Sequence, residues 1–298
     1  MRLINQSYEI CNQTDFSMSG IYKHIEKCTR VAYKSEDKIT EDSAASFIDK
    51  LLKMKHLAPM EFGTIHFKIP TTLLKTFAED LIFCNLYNVE WIKCKTVDNY
   101  AYFTTNYRHW LELEKKVSYV REYFDSKDNE YYPKRYTVKL ITNRAVSHEV
   151  VRHRTMSFIQ ESQRYCNYNK DKFNNEITYI KPCWLDIPTG HYTYWDGDWC
   201  DIDKMKIQLP EGEHKDIDAF LWTLNNAETH YTLLINSGWK PQQARVVLPN
   251  STKTELYMCG FKEAWGHFFE LRDNKVVDPQ MYDLAHPMHQ DFINNKYL

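Results

Sequence analysis

The fold is indicated by the stretch "RYTVKLITNRAVSHEVVRHR", residues 135–154. Its first part, "RYTVKLIT", is rich in β-branched and aromatic residues, which predicts a strand over residues 135–142. Val146, Val150 and Val151 then indicate a helix that ends near the arginines closing the stretch. Because strands and helices alternate without glycine-rich turns between them, a mixed α/β or α+β domain is favoured over a Rossmann fold.

Residue periodicity predicts further elements on either side of this stretch. Thr40 is a good N-cap, and apolar residues up to Leu52 recur at helical spacing. Alternation over residues 62–69 predicts a half-buried strand, with Thr64 and His66 on its partly polar face. Three more helical segments are predicted over residues 71–85, about 216–236 and roughly 252–271.

The composition is that of a protein with a large core. Apolar residues make up 43% and aromatic residues 15% of the 298 residues, so one domain over residues 1–298 is expected. Residues 166–213 lack a clear period and are interpreted as an insertion in that domain. No apolar run reaches the roughly 18 residues that a membrane span needs, and the N-terminus lacks a signal-peptide pattern. We therefore expect a cytoplasmic location.

The charge balance limits the expected partners. The net charge is −2, from 38 Lys and Arg against 40 Asp and Glu. This balance gives no general attraction to nucleic acid or to an anionic membrane, so neither is an expected partner. Any site for an anion must therefore be local.

Neither the histidines nor the cysteines indicate a metal site. "HEVVRH" resembles a zinc-protease motif, but His148 and His153 are five residues apart, which separates them by about 140° around a helix. The eight cysteines contain no CxxC pair, which argues against a zinc ribbon or a disulfide scaffold. No metal is expected.

Two side chains are candidate nucleophiles. Positive charge near Cys166 would favour its thiolate, but no partner base is identifiable, so a buried, unreactive thiol is the favoured interpretation. Ser162 lies outside any G-x-S-x-G motif and is interpreted as a hydrogen-bond donor.

The basic cluster that begins at the end of the quoted stretch has two interpretations. Arg152, Arg154 and Arg164 cannot be neutralised by deprotonation, and Glu161 is the only acidic residue within 152–165. Guanidinium groups bind phosphate bidentately, so a nucleotide or a phosphorylated cofactor fits. Salt bridges to acidic residues elsewhere in the chain fit equally well, and the spacing leaves both interpretations open.

The cluster is part of a longer pattern. R-H-R at residues 152–154 is followed by seven residues and Ser162, with Arg164 and Tyr165 after it. This pattern resembles the signature of the flavin-dependent thymidylate synthases, the ThyX family. Three further segments resemble motifs of that family in the same order: "PMEFGTIHF" (59–67), "RVVLP" (245–249) and "HFFELR" (267–272). The matches span roughly residues 28–285.

The resemblance implies a fold, an assembly and a reaction. The fold is an α+β domain with a central antiparallel sheet and flanking helices, and the enzyme is a homotetramer with FAD and dUMP at subunit interfaces. A methylene group passes from 5,10-methylenetetrahydrofolate to C5 of dUMP to give dTMP, with a flavin that NADPH reduces and without a cysteine nucleophile. Two other interpretations stay open: a protein that binds nucleic-acid phosphates, and a flavin-dependent methyltransferase acting on another uracil substrate.

The resemblance also assigns site residues. The dUMP-binding positions are Glu149, Arg152, Gln160, Ser162, Gln163, Arg164, Arg245 and Arg272. The FAD-binding positions are Thr64, Arg152, His153, Arg154, Gln160 and His267. Arg272 is the catalytic residue, because a fixed cation near the uracil favours charge developing on the ring. The sequence departs from the family pattern at Phe62, Phe261, Glu263 and the pair Ile159-Gln160, which retains the dUMP arginines but alters the flavin lining.

Overall fold

The computed structural model describes residues 1–210 and 215–298. Thirteen strands occur in this part of the chain: β1 (Arg2–Ile4), β2 (Ser7–Ile10), β3 (Thr64–Pro70), β4 (Ile92–Val97), β5 (Tyr100–Asn106), β6 (Phe124–Asp125), β7 (Arg135–Asn143), β8 (Ser157–Gln160), β9 (Thr178–Ile180), β10 (Gly190–His191), β11 (Thr193–Trp195), β12 (Asp198–Cys200) and β13 (Lys253–Phe261). The α-helices described are α1 (Met18–Arg30), α2 (Ser43–Lys53), α3 (Leu74–Phe83), α4 (Tyr107–Lys116), α5 (Arg144–Val150), α6 (Lys215–Asn236), α7 (Pro241–Ala244), α8 (Lys262–Arg272) and α9 (Pro279–Asn294).

Most strands belong to two four-stranded antiparallel sheets. One has the order β2-β7-β13-β8 and the other β4-β5-β3-β6. A smaller sheet has the order β10-β1-β9, in which β1 and β9 are parallel, and β11 pairs with β12 as a hairpin. The α+β prediction with antiparallel pairing is thus confirmed, although two sheets of equal size replace the single central one.

The stretch 135–154 folds as predicted, with β7 running directly into α5. Asn143 caps the helix, because its side-chain oxygen accepts a hydrogen bond from the backbone N–H of Val146 at 2.8 Å. Val146 and Val150 are buried in the core beneath the sheet. The helix ends at Val150, so the R-H-R segment begins where the regular backbone stops.

The prediction of one helical segment over roughly 252–271 is wrong in its first half. Residues Lys253–Phe261 form strand β13, which pairs with β7 on one side and β8 on the other. Every residue of β13 after Lys253 is buried, so the alternation that marks a half-exposed strand is absent from its sequence. The helix begins at Lys262 and places Trp265, Phe268 and Phe269 in the core.

The strand predicted over 62–69 is more buried than its sequence suggests. It begins at Thr64, and both Thr64 and His66 on its polar face are buried. The His66 ring is stacked between Phe16, at 4.3 Å, and Tyr132, at 4.2 Å, measured between ring centroids. Chain segments that are remote in sequence therefore cover the predicted polar face at Thr64 and His66, whereas Lys68 on the same face is exposed.

The helix boundaries agree with the predictions to within a few residues, with one error in capping. Helix α2 begins at Ser43 after Asp42, so Thr40 is not its N-cap. Instead, the backbone N–H of Thr40 donates to Ser43 Oγ at 2.9 Å. Helices α3 and α6 lie where the periodicity places them, and Gly238 beyond α6 has φ of +91°, which favours glycine.

The segment 166–213 contains short strands and one 3-10 turn in its described part, and residues 211–213 lie outside the described residues. Its strand β9 joins the N-terminal strand β1 in register Leu3 to Tyr179. Both side chains are completely buried, in an apolar cluster that also contains Leu221 and Leu224 of α6. Across residues 1–210 and 215–298, no helix combines the length and the apolar character required to cross a bilayer.

Candidate active site

Arg272, at the end of α8, is held against the end of α5. Its Nη1 donates to Glu149 Oε2 at 2.7 Å, and its Nη2 donates to the Glu149 carbonyl oxygen at 3.3 Å. Its Nε donates to His153 Nε2 at 3.0 Å. Three residues that the sequence assigns to the site are therefore joined in one hydrogen-bonded group, and the guanidinium plane is fixed in orientation.

His153 is neutral in this arrangement. Burial lowers the pKa of its imidazole to about 4, and the neighbouring Arg272 and His267 contribute in the same direction. Because a guanidinium can only donate, His153 Nε2 is the acceptor and the ring proton belongs on Nδ1. The ring also meets Phe268 edge-on at 4.9 Å between centroids, so packing restrains it as well.

The arginines of the basic cluster, and Arg245, have no acidic partner in the part of the chain that the structure describes. No carboxylate of residues 1–210 or 215–298 lies within 4.0 Å of the guanidinium groups of Arg152, Arg154, Arg164 or Arg245, and all four residues are exposed. Glu161, the expected countercharge, is instead bonded to Lys253 Nζ at 2.9 Å. Within the described residues these arginines therefore form no salt bridge, which favours the interpretation as an anion site.

Gln160 lies between α5 and β13. Its Nε2 donates to Ser147 Oγ at 2.9 Å and to Thr254 Oγ1 at 3.0 Å. Arg144 Nη1 donates to the same Thr254 oxygen at 3.3 Å. The backbone N–H of Arg144 donates to the Asn250 carbonyl at 2.9 Å, which ties α5 to the segment that follows Arg245.

Arg144 is a candidate site residue that the sequence analysis missed. Burial lowers the pKa of its guanidinium, and the positive charge of Arg245 contributes in the same direction. An arginine in the first turn of a helix is unfavourable there, because the helix N-terminus already carries positive partial charge. That mismatch was the available sequence signal, and it makes Arg144, beside Arg245, a candidate for binding an anion.

The loop that follows β8 is held by backbone contacts. The N–H of Ser162 donates to the Ala32 carbonyl at 3.2 Å, and Ser162 Oγ accepts from the Arg164 N–H at 3.3 Å. Gln163 between them is partly buried. The Arg164 guanidinium lies 5.5 Å from the centroid of the Tyr165 ring.

A mainly apolar cavity of about 540 Å³ lies beside the R-H-R segment. Thr155 lines it on one side, together with Phe261, Glu263 and His267 from the start of α8. Residues of α3, β4 and β5 and the loop between α3 and β4 form the remainder of the wall. Glu263, one of the positions that depart from the family pattern, forms an ion pair with Lys93 at 2.6 Å, and both residues line the cavity.

Two expected flavin positions lie away from this cavity. Thr64 Oγ1 is buried and accepts from Arg135 Nη1 at 3.2 Å. Phe62 is completely buried in an apolar cluster with Cys28 and Tyr257. Neither residue lines the cavity, whereas Phe261, Glu263 and His267 do.

Cys166 is unsuited to act as a nucleophile. The residue is fully buried, and burial raises the pKa of its thiol to about 12, with the charge of Glu161 adding to the effect. The thiol therefore stays protonated near neutral pH. As for metals, the described residues contain no group of three or more His, Cys, Asp or Glu side chains placed to hold an ion.

The chain is similar to one family of known proteins, both by a family model and by individual relatives. The family model described as "Thymidylate synthase complementing protein" matches residues 134–294. A probable flavin-dependent thymidylate synthase of Paramecium bursaria Chlorella virus 1 is 25% identical over 162 residues, which are 53% of this chain and 65% of that protein. A flavin-dependent thymidylate synthase of Corynebacterium aurimucosum is 27% identical over 144 residues, covering 48% and 51% of the two chains. The chain thus matches between about half and two thirds of the length of these relatives.

Among solved structures, a UMP/dUMP methylase, PolB, from Streptomyces cacaoi aligns over 99% of this chain and 93% of its own, with 16% identity and a TM-score of 0.43. At that level the likeness carries no conclusion about function.

Proposed function

Because the chain belongs to the family of thymidylate synthase complementing proteins, the flavin-dependent thymidylate synthases, we propose that it methylates dUMP to dTMP. In this proposal 5,10-methylenetetrahydrofolate donates the carbon, and FAD reduced by NADPH donates the electrons. The proposal covers the whole chain as one synthase domain, with the 166–213 segment as part of it.

The observation that carries the proposal is the group of arginines that have no acidic partner among the described residues. Arg164 and Arg245 are exposed, with no carboxylate within 4.0 Å among residues 1–210 and 215–298, and can bind a phosphate oxygen. Arg144 lies close enough to Arg245 to feel its charge and donates one N–H to Thr254, which leaves further N–H groups for the same anion. A nucleotide monophosphate is a dianion, and guanidinium forks match its geometry. We assign Ser162, Gln163 and Gln160 to the same ligand, since they lie on the same loop and strand end.

The residues beside the cavity suit a flavin dinucleotide. An apolar cavity of about 540 Å³ accommodates a flat ring system, and the unpaired Arg152 and Arg154 next to it are suited to a pyrophosphate. His153 and His267 complete this side of the site. When bound, the flavin supplies the reducing equivalents that convert the transferred methylene group into a methyl group.

Arg272 acts electrostatically in this proposal. It is always charged, and its bonds to Glu149 and His153 fix its position before substrate binds. A preorganised cation near the uracil stabilises negative charge as C5 becomes nucleophilic, and the protein reorganises little in the process. Gln160 lies between the two ligands, and Cys166 has no part in the chemistry.

A homotetramer with sites at subunit interfaces belongs to the same proposal. Ile82 and Phe83 in α3 are 70% and 92% exposed, and Tyr87 beside them lines the cavity. Large apolar side chains at the mouth of a site are stabilised when another subunit covers them. The eight free thiols are consistent with a reducing compartment such as the cytoplasm.

A coupled assay tests the function. The purified protein is loaded with FAD, and NADPH oxidation and dTMP are measured with dUMP and methylenetetrahydrofolate together and with each omitted. We expect dTMP only in the complete mixture, and a yellow protein after gel filtration. A protein that takes up no flavin contradicts the proposal. A protein whose flavin binds while RNA, and not dUMP, becomes methylated supports the alternative uracil substrate.

A further inference from the structure

A second cavity, of about 490 Å³, lies between the end of α1, helix α2 and the turn at residues 170–172. We name it the lysine groove, after its lining residues: Arg30, Tyr33, Lys34, Ser35, Asp37, Lys38, Phe47, Lys50, Leu51, Met54, Lys170 and Lys172. Six of these carry positive charge and Asp37 is acidic, in a protein whose net charge is −2. The positive charge is therefore local, and neither the candidate dUMP residues nor the flavin cavity accounts for it.

The six cations of the groove fall into three sets, of which the smallest is Lys172, whose Nζ donates to the backbone carbonyls of Tyr33 and Lys34 at 3.5 and 3.2 Å. Arg30 is bonded to Glu26, and Lys34 is paired with Glu255, so both are neutralised within the fold. Lys38, Lys50 and Lys170 are exposed and have no carboxylate within 4.0 Å among residues 1–210 and 215–298. Three like charges facing one cavity repel one another, and an anionic ligand would relieve that repulsion.

The groove adjoins the loop assigned to the nucleotide. The Ala32 carbonyl accepts from the N–H of Ser162 at 3.2 Å, and the next residue, Tyr33, lines the groove. The Tyr33 ring lies 5.2 Å from the Tyr165 ring, which neighbours Arg164. A ligand in the groove therefore lies one side chain away from the loop at Ser162 and Arg164.

The chemistry of the lining favours one kind of polyanion. The unpaired cations are lysines, which act as hydrated point charges, whereas the planar forks that match phosphate belong to arginine. The groove also contains apolar contacts from Phe47, Leu51 and Met54. A chain that alternates carboxylates with short methylene segments satisfies both features.

We propose that the lysine groove binds the oligo-γ-glutamate tail of the folate co-substrate. The inference rests on the proposed function for the source of the tail, because methylenetetrahydrofolate ends in a glutamate whose γ-carboxylate can be extended by further glutamates. The tail carboxylates lie against Lys38, Lys50 and Lys170, and the tail methylenes against the apolar residues. The groove then increases affinity for folates with longer tails and leaves the chemical step unchanged.

The test compares mono- and pentaglutamate forms of methylenetetrahydrofolate. We expect the KM of the unmodified holoenzyme to fall about 10-fold with the longer tail, as three exposed ion pairs of about twofold each allow. In the triple variant Lys38→Gln, Lys50→Gln and Lys170→Gln, the two forms are expected to have the same KM, with kcat and the KM for dUMP unchanged. Lys75→Gln, at an exposed site on α3, is the matched control and keeps the preference.

A binding measurement separates this inference from the proposed function. A fluorescent γ-linked pentaglutamate is titrated against the FAD-loaded protein and followed by anisotropy, which requires no turnover. If the probe binds, and the triple variant loses it, the groove binds oligocarboxylates even where no dTMP forms. If dTMP forms but tail length has no effect, or the triple variant keeps the effect, the inference is overturned. Inorganic tripolyphosphate that displaces the probe at lower concentration than unlabelled pentaglutamate overturns it too, and assigns the groove to phosphates.

Discussion

Arg272 Nε donates to His153 Nε2 across 3.0 Å, although 119 residues of chain separate the two side chains. Glu149 binds the other end of the same guanidinium, so an anionic and a neutral acceptor both orient one cation. Glu149 forms a partly exposed ion pair with Arg272, and His153 adds no charge because it is neutral. The arrangement therefore presents a fixed cation whose position depends on two further residues.

Arg272→Ala is expected to lower the kcat of dTMP formation strongly while FAD still binds. Removing a preorganised charge that stabilises the reacting ring costs about 10² to 10³ in kcat. Turnover and the visible flavin spectrum are measured on the same preparation. Arg121→Ala, an exposed arginine paired with Glu114, is the control and should keep full activity. Near-normal turnover in Arg272→Ala would refute the catalytic assignment.

Arg164→Ala and Arg245→Ala are each expected to raise the KM for dUMP by about 10-fold or more, because each removes a charge-assisted contact to phosphate. The value of kcat should change less, since neither residue is assigned to the reacting carbon. Initial rates at varied dUMP and saturating folate give both constants. An unchanged KM in both variants would remove these arginines from the nucleotide site.

Protonation of His153 is expected to destabilise the protein at acidic pH. Its pKa is lowered from 6.5 to about 4 in the folded state, so the unfolded chain binds the extra proton first. Above about pH 6.5 His153 is neutral in both states and the free energy of unfolding is unaffected. As the pH falls from 6.5 toward 4, the free energy of unfolding decreases by up to about 1.4 kcal/mol per pH unit.

Urea unfolding at pH 7, 6 and 5, at one protomer concentration, measures this loss in the wild type and in His153→Gln. The free energy of unfolding should fall less steeply with acid in the variant, since the other buried histidines, such as His66, are common to both. Parallel slopes would show that His153 titrates normally in the folded protein.

Cys166→Ala is expected to keep dTMP formation within about twofold of the wild type, because its buried thiol stays protonated and the change removes one buried sulfur. Thermal unfolding confirms that the variant is folded, and dUMP binding confirms that the site is intact. A folded variant that binds dUMP without turnover would reopen the question of a cysteine nucleophile.

The sequence by itself determined the features that depend on neighbouring residues. Strand β7 and helix α5 follow from the residues between 135 and 150, and helix α6 from its apolar period. The chemical types in the basic cluster, arginines with a histidine and serines, made an anion site one of two interpretations.

Only the tertiary structure decided which of these residues meet. β13 is a strand because β7 and β8 both pair with it, and pairing between remote segments leaves no local period in the sequence. Segments far apart in the chain likewise bury Thr64 and Phe62 and bring Arg144 to Thr254. They also leave Arg152 and Arg154 without an acidic partner among the described residues. The spacing of the arginines in the sequence allowed salt bridges and a bound ligand equally. The partner of a charged side chain depends on its distance in space, which the position along the chain does not give.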